Sequence, residues 1–228
     1  MKSIDAFNSI FDRKALRPVP DRWSATESDK GANFTCVSFL RPGRLFYPIS
    51  RHFIKPDSIV HHHSGRHLSD RNCDGACVWY EGDETGGEEE TLMMVELKSK
   101  FSDSELRGAF MQTLYSFLRV HMAMSLCEGY DLASRRVRMC VACRTFDDAS
   151  LAKVLGSIDK ALQANLEGFR TNILRYLIRG KSVEIKLRKL LEYYNISLNL
   201  PKDMLDKTLS LHLYLTGDVE DRSLEVEL

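Results

Sequence analysis

The residues with most obvious chemistry lie in the run Leu92-Met93-Met94-Val95-Glu96-Leu97-Lys98. Its apolar, β-compatible composition reads as a strand that leaves into polar Ser102-Asp103. Side chains alternate across a strand, so Glu96 and Lys98 share one face while Val95 and Leu97 take the other. Buried charge is expensive unless it is paired or bound to an ion. A carboxylate and an ammonium side by side on such a strand therefore point to a site. Glu96 would hold a divalent cation, and Lys98 would contact a phosphate or position a water.

Upstream, Asn72-Cys73-Asp74-Gly75-Ala76-Cys77-Val78-Trp79-Tyr80 places Asp74 at the start of a second apolar strand. A polar connection from Glu81 to Glu90 joins it to the first. This order resembles the PD-(D/E)XK nuclease-like superfamily, in which an Asp opens the second core strand and an E-x-K sits on the third. Those positions fall on Asp74 and Glu96-Leu97-Lys98, and the resemblance covers roughly residues 50 to 146. The RecB-like branch carries Q-x-x-x-Y on the next helix; Gln112 and Tyr115 stand here as Q-x-x-Y. The resemblance implies Asp74, Glu96 and the Leu97 carbonyl as ligands of Mg²⁺ or Mn²⁺. It further implies catalytic roles for Lys98 and Gln112, with DNA favoured over RNA as substrate. It also suggests an acidic residue on an N-terminal helix. Glu27 is the nearest, with a solvated loop as its alternative reading.

These residues need elements to position them. Ser102 with Glu105 forms a capping box that opens a helix running to about Met124. Leu106, Phe110, Leu114, Phe117 and His121 mark its core-facing stripe. Gln112, Tyr115 and Arg119 form a second stripe, read either as the polar edge of a packed helix or as a face turned to substrate. Arg136 to Cys143 reads as the following strand, for which a connecting helix permits a parallel crossover.

Elsewhere, Ile4, Phe7, Ile10 and Phe11 suggest an amphipathic helix ended by Pro18 and Pro20. Phe34 to Leu40 reads as a strand, followed by a turn at Arg41-Pro42-Gly43-Arg44 and a hairpin partner at Leu45-Phe46-Tyr47. Pro56-Asp57 spells the literal dipeptide of the superfamily name, but its distance in sequence from Glu96 favours Asp74. His61, His62, His63 and His67, beside Arg51, Lys55, Arg66 and Arg71, read as metal ligands, as a basic loop near phosphate, or as plain surface. Cys73, Cys77, Cys140 and Cys143 lie in strand-like apolar runs, which favours buried thiols over a zinc ribbon.

Residues 148 to 195 read as helical with a break near Arg179-Gly180, and a shorter helix spans Ile185 to Tyr194. Alternation in Leu211, Leu213, Leu215 and then Leu224, Val226, Leu228 suggests a terminal hairpin. The expected fold is α/β (α+β): a restriction-endonuclease-like mixed sheet flanked by helices, with a C-terminal helical extension and that hairpin. Residues 1–147 would form the core with its N-terminal extension, and residues 148–228 would pack on it.

The 228 residues carry 32 basic and 32 acidic side chains. Their distribution is uneven: residues 1 to 72 hold twelve Lys/Arg against seven Asp/Glu, and residues 73 to 105 hold ten acids against two Lys. A positive lobe beside an acidic cluster suits a metal-dependent enzyme acting on a polyanion. No run reaches the ~18 apolar residues of a membrane span. The lack of a signal sequence and the six cysteines lead us to expect a cytoplasmic protein with free thiols. The leading expectation is a metal-dependent nuclease, acting in a defence or repair assembly with a partner protein or as a homo-oligomer. The alternatives are a nuclease-like fold serving as a binding or regulatory subunit, and an unrelated α/β domain in which Asp74 and Glu96 are surface charges.

Overall fold

The structure, a computed structural model, describes residues 2–11, 16–27, 31–54, 72–82, 88–218 and 220–228. Pro56-Asp57 and the histidines at 61, 62, 63 and 67 lie outside the described residues. The elements are α1 (Lys2–Ile10), β1 (Val19–Thr26), β2 (Cys36–Pro48), α2 (Arg51–Ile54), β3 (Gly75–Gly82), β4 (Glu88–Lys98), α3 (Asp103–Met124) and β5 (Arg136–Cys143). Then come α4 (Asp148–Gln163), a π-helical turn (Arg170–Leu174) running into α5 (Arg175–Leu177), β6 (Val183–Lys186), α6 (Leu187–Tyr193), α7 (Lys202–Leu205), β7 (Thr208–Leu215) and β8 (Ser223–Glu227).

The strands form one open mixed sheet in the order β1-β2-β3-β4-β5-β7-β6, with β8 pairing β2 off that path. β2, β3 and β4 are antiparallel neighbours; β4 and β5 run parallel, joined by α3, as a parallel pair requires. The core strands are apolar on both sides because both sides are covered. Val78, Leu92, Met94, Met139 and Val141 face the helices. Cys77, Trp79, Met93, Val95, Leu97, Cys140 and Ala142 face the layer made by β1, the first half of β2, and β8. Cys140 and Cys143 thus lie on opposite faces of the sheet, in separate apolar clusters, as buried free thiols.

Several elements differ from the sequence reading. Arg41 to Arg44 does not turn: β2 runs through it for 13 residues, with Gly43 at φ 75° absorbing an irregularity. The hairpin partner is the upstream β1, whose register shifts between Pro20 and Arg22, and Gly43 N–H donates to Asp21 Oδ1 at 2.6 Å. Pro20 is tolerated because β1 is an edge strand. The helical stretch expected over 148–195 is interrupted by β6, so Ile185 belongs to a strand. The expected terminal hairpin does not form. Both edges of β7 are taken, by β5 and by β6, and β8 runs parallel beside Cys36–Leu40 of β2. Residues on both sides of position 147 therefore share one sheet. Among the described residues no helix is long and apolar enough to cross a membrane.

On β7, His212 lies against the second layer. Its Nε2 is 2.8 Å from Ser210 Oγ, its ring stacks at 6.0 Å on Tyr214, and Cys140 is its register partner on β5. Burial, and then the Arg138 guanidinium, push its pKa down to about 4 from 6.5. The unfolded chain takes up a proton below pH 6.5 that the folded chain refuses until about pH 4, so this residue costs stability as pH falls through that window. His212→Asn should flatten the decline in thermal midpoint between those pH values relative to the unsubstituted protein. Parallel melting profiles for the two proteins would contradict this account.

Candidate functional site

The site forms where β4 outlasts β3. Asp74 immediately precedes β3; its N–H donates to Val95 O at 2.9 Å, and its Oδ2 accepts from Leu97 N–H at 2.8 Å. The carboxylate thus extends the ladder past the end of the β3 backbone. The N–H and C=O of one strand residue point to the same edge, so the Leu97 carbonyl also lies on the Asp74 side of β4. Glu96 points from β4 toward the helical face and is 2 % exposed. Its Oε1 meets Lys98 Nζ at 2.6 Å, while its Oε2 is buried with no hydrogen-bond partner.

α3 secures this arrangement through three side chains at helical spacing. Gln112 Oε1 accepts from Lys98 Nζ at 2.9 Å, and its Nε2 donates to Asn72 O at 3.0 Å. Ser116 Oγ accepts from Cys73 N–H at 2.9 Å. Arg119 donates to Ile54 O at 2.8 Å and to Asn72 Oδ1. Positions 112, 116 and 119 stack on one helix face, so one stripe grips the segment leading into Asp74. The Ser102 cap that starts this helix is present, with Glu105 N–H donating to its Oγ at 3.2 Å. Tyr115 is 6 % exposed within the apolar core, and Arg119 is 7 % exposed.

Electrostatics draws further residues in. Burial, only partly offset by the Leu97 hydrogen bond, raises the Asp74 pKa to about 6; Glu27 pushes it upward while Lys98 and Arg51 pull it down. Glu96 is held well above the usual carboxylate range, first by burial and then by Asp74, against the pull of Lys98. Burial works to lower Lys98, but Glu96, Asp74 and Glu105 outweigh it and raise it, so the ammonium persists. The result is a buried Glu96 beside a half-buried Asp74, two carboxyl groups against one lysine. That excess, with the orphaned Glu96 oxygen, fits a hard cation bound through oxygen.

Glu27 is brought close by β1. Trp23, Ala25 and Glu27 share a face by strand alternation, and Trp23 and Ala25 press on Gly75. Arg51 NH2 donates to Thr26 O at 3.0 Å, tying α2 to the end of β1. Asn72 and Ser116 were not singled out as site residues from sequence, and Arg51 was read only as part of a basic loop beside the histidines. The signal available for Ser116 was its spacing of four from Gln112, and for Asn72 its place two residues before Asp74. Among the described residues, no group of three or more His, Cys, Asp or Glu side chains converges as a ready-made metal cage. The fit therefore rests on Asp74, Glu96 and the Leu97 carbonyl. Compared with protein-family models, curated proteins and solved structures, the chain matches none.

A Cβ at position 75 would lie 2.8 Å from Ala25 Cβ and 3.0 Å from the Trp23 ring. Gly75→Ala should therefore push β1 off β3 and cost about 1–3 kcal/mol, as overpacking does. Adding Ala25→Gly should recover part of that loss, because the closest contact disappears. Thermal melts of the single and double variants measure this; an unshifted midpoint in Gly75→Ala would exclude the close approach.

Proposed function

We propose that this protein is a metal-dependent nuclease whose β2-β3-β4-α3-β5 unit is the core of a PD-(D/E)XK nuclease-like fold. The observation that carries the reading is the pairing of buried Glu96, one oxygen unpartnered, with Asp74 across the end of β3, and Lys98 fixed beside them. Strand order and direction support it as well: three antiparallel neighbours, then a helix leading to a parallel fourth. A surface-charge reading of Glu96 has no support in its burial.

Asp74, Glu96 and the Leu97 carbonyl would hold the cation, and an all-oxygen donor set favours Mg²⁺ or Mn²⁺. The bound ion supplies neutralisation of the phosphate and a more acidic water. The remaining work belongs to the chain. Glu96 and Gln112 hold the Lys98 ammonium from two directions, which fixes it where it can meet a phosphoryl oxygen or orient the attacking water. Ser116 and Gln112 hold residues 72 and 73, and through them the Asp74 carboxylate. Glu27 adds negative charge at the margin, where it would tighten the hold on a cation. DNA is the substrate we favour.

The test is cleavage of linear and circular DNA, and of RNA, with Mg²⁺ or Mn²⁺, alongside Mn²⁺ titration calorimetry. Asp74→Ala and Glu96→Ala should each remove most activity, and the double variant should lose little more, because residues acting as a unit are not additive. Lys98→Ala should keep cation binding yet lower turnover by roughly 10²–10³-fold, the range for losing one transition-state donor. Undiminished cleavage by Glu96→Ala would sink the mechanism. Failure of the unsubstituted protein to bind Mn²⁺ would instead favour a nuclease-like binding subunit.

A further inference from the structure

A concavity of about 680 Å³ opens at the carboxyl ends of β4 and β5, its wall beginning at Ser99, one residue beyond Lys98. Both strands run the same way, so the helices that follow them, α3 and α4, present their N-termini to it. Helix N-termini favour anions, although that alone describes any helix end. The wall adds Lys100, Arg144, Lys153 and Arg170. Arg170 is engaged by Asp103, and Asp147 is occupied as the α4 cap, its Oδ1 accepting from Ser150 N–H at 2.6 Å. Glu105 also lines the cavity, on the side nearest Lys98.

Arg144 is different. Its Nε is buried with no hydrogen-bond partner, and its guanidinium faces Glu220, an 89 % exposed side chain, only at 3.8 Å. A contact this long, to a partner that itself stands in open water, is weak, so the mostly buried Arg144 cation remains available for a stronger anion. Beside it Phe146, half-buried, meets Phe101 at 4.7 Å between ring centroids and offers an apolar surface to the cavity. Cations in the lining with an aromatic ring among them are the parts of a site for unpaired nucleic acid, where phosphate meets charge and a base lies on a ring. The volume falls in the ~300–1,000 Å³ range of small-ligand pockets, and a duplex cannot enter a recess of that scale.

We infer that this cavity receives one unpaired nucleotide of the substrate strand, next to the scissile phosphate, with its phosphate on Arg144 and the two helix ends and its base against Phe146. This rests on the nuclease reading for its substrate class. It makes the preferred substrate one with a single-stranded, frayed or flipped-out segment.

The experiment is fluorescence anisotropy with labelled single-stranded and blunt duplex DNA of the same sequence, in EDTA and across a salt series. Cleavage is silent under these conditions, so binding is read separately from catalysis. The unsubstituted protein should bind the single strand at least several-fold more tightly than the duplex. Arg144→Ala and Lys153→Ala should each weaken single-strand binding whatever the sequence and reduce the salt slope by about 1, as loss of a phosphate contact does. Phe146→Leu, which keeps an apolar side chain, should weaken single-strand binding with the slope unchanged. Equal affinity for the two DNA forms, or wild-type binding and slope in the Arg144 and Lys153 variants, overturns the inference. Cleavage assayed beside binding separates the two readings. Intact single-strand binding through these residues without any cleavage in the unsubstituted protein fails the nuclease proposal alone; cleavage with pocket-independent binding fails this inference alone.

Discussion

A carboxylate buried on the central strand is the constraint on which the site depends. Taking a charge out of water costs several kcal/mol even after relaxation, and one ion pair rarely repays it in full. Lys98 satisfies one Glu96 oxygen and leaves the other without a partner. Asp74, brought in across the end of β3, worsens the imbalance, for its charge raises the affinity of Glu96 for a proton. A fold selected for stability alone would place an apolar residue here, as it does at Met94 two positions earlier on the same face. The strain is local and surrounded by material that tolerates it: fully buried Leu92, Met94, Phe110, Leu114 and Val141 pack around the same face.

The two faces of the sheet divide the labour. On the helical face, α3 contributes apolar side chains to the core and, on an adjacent stripe, the polar groups that hold residues 72 and 73. Arg119 belongs to this stripe, and its bonds to the Ile54 carbonyl and the Asn72 side chain hold residues 54 and 72. The other face is closed by a β layer instead of helices. That choice matters for chemistry because a strand can lie flush on a glycine. Trp23 and Ala25 fit against Gly75, and the next residue on their face is Glu27.

What was readable in the sequence was what is local. The Ser102 N-cap, the alternation around Glu96 and the apolar stripe of α3 each obey a period of a few residues, and each was found in place. Helix phase left Gln112 on a stripe read either as a packed polar edge or as a face turned to the site, and it reaches Lys98. What was lost depended on pairing between distant segments. β1 carries Pro20, Asp21 and Arg22, which argue against a strand, and it forms because β2 offers a long free edge. Arg41-Pro42-Gly43-Arg44 has the composition of a turn, yet continuous pairing with β1 converts it to an irregularity within one strand. The last strands looked like a hairpin because they are adjacent in sequence. Which edge each would take was decided by β5, β6 and β2, and no local pattern encodes that competition.

The same competition explains the opening beside Lys98. β4, β5 and β7 run parallel, so their carboxyl ends lie at one margin of the sheet and their connections must depart from there. Parallel strands place successive loops and helix N-termini together at that margin, which is where open α/β sheets commonly bind ligands. In this chain the margin also carries Lys98 at the end of β4 and Arg144 just past the end of β5, with Arg144 N–H donating to Lys98 O at 3.1 Å. That backbone bond sets the register between the strand bearing the proposed reactive lysine and the residue bearing the nearest underused cation. Phosphate recognition and phosphate chemistry would then be fixed to adjacent strands of one rigid ladder, so their spacing depends on the sheet and not on the conformation of a loop.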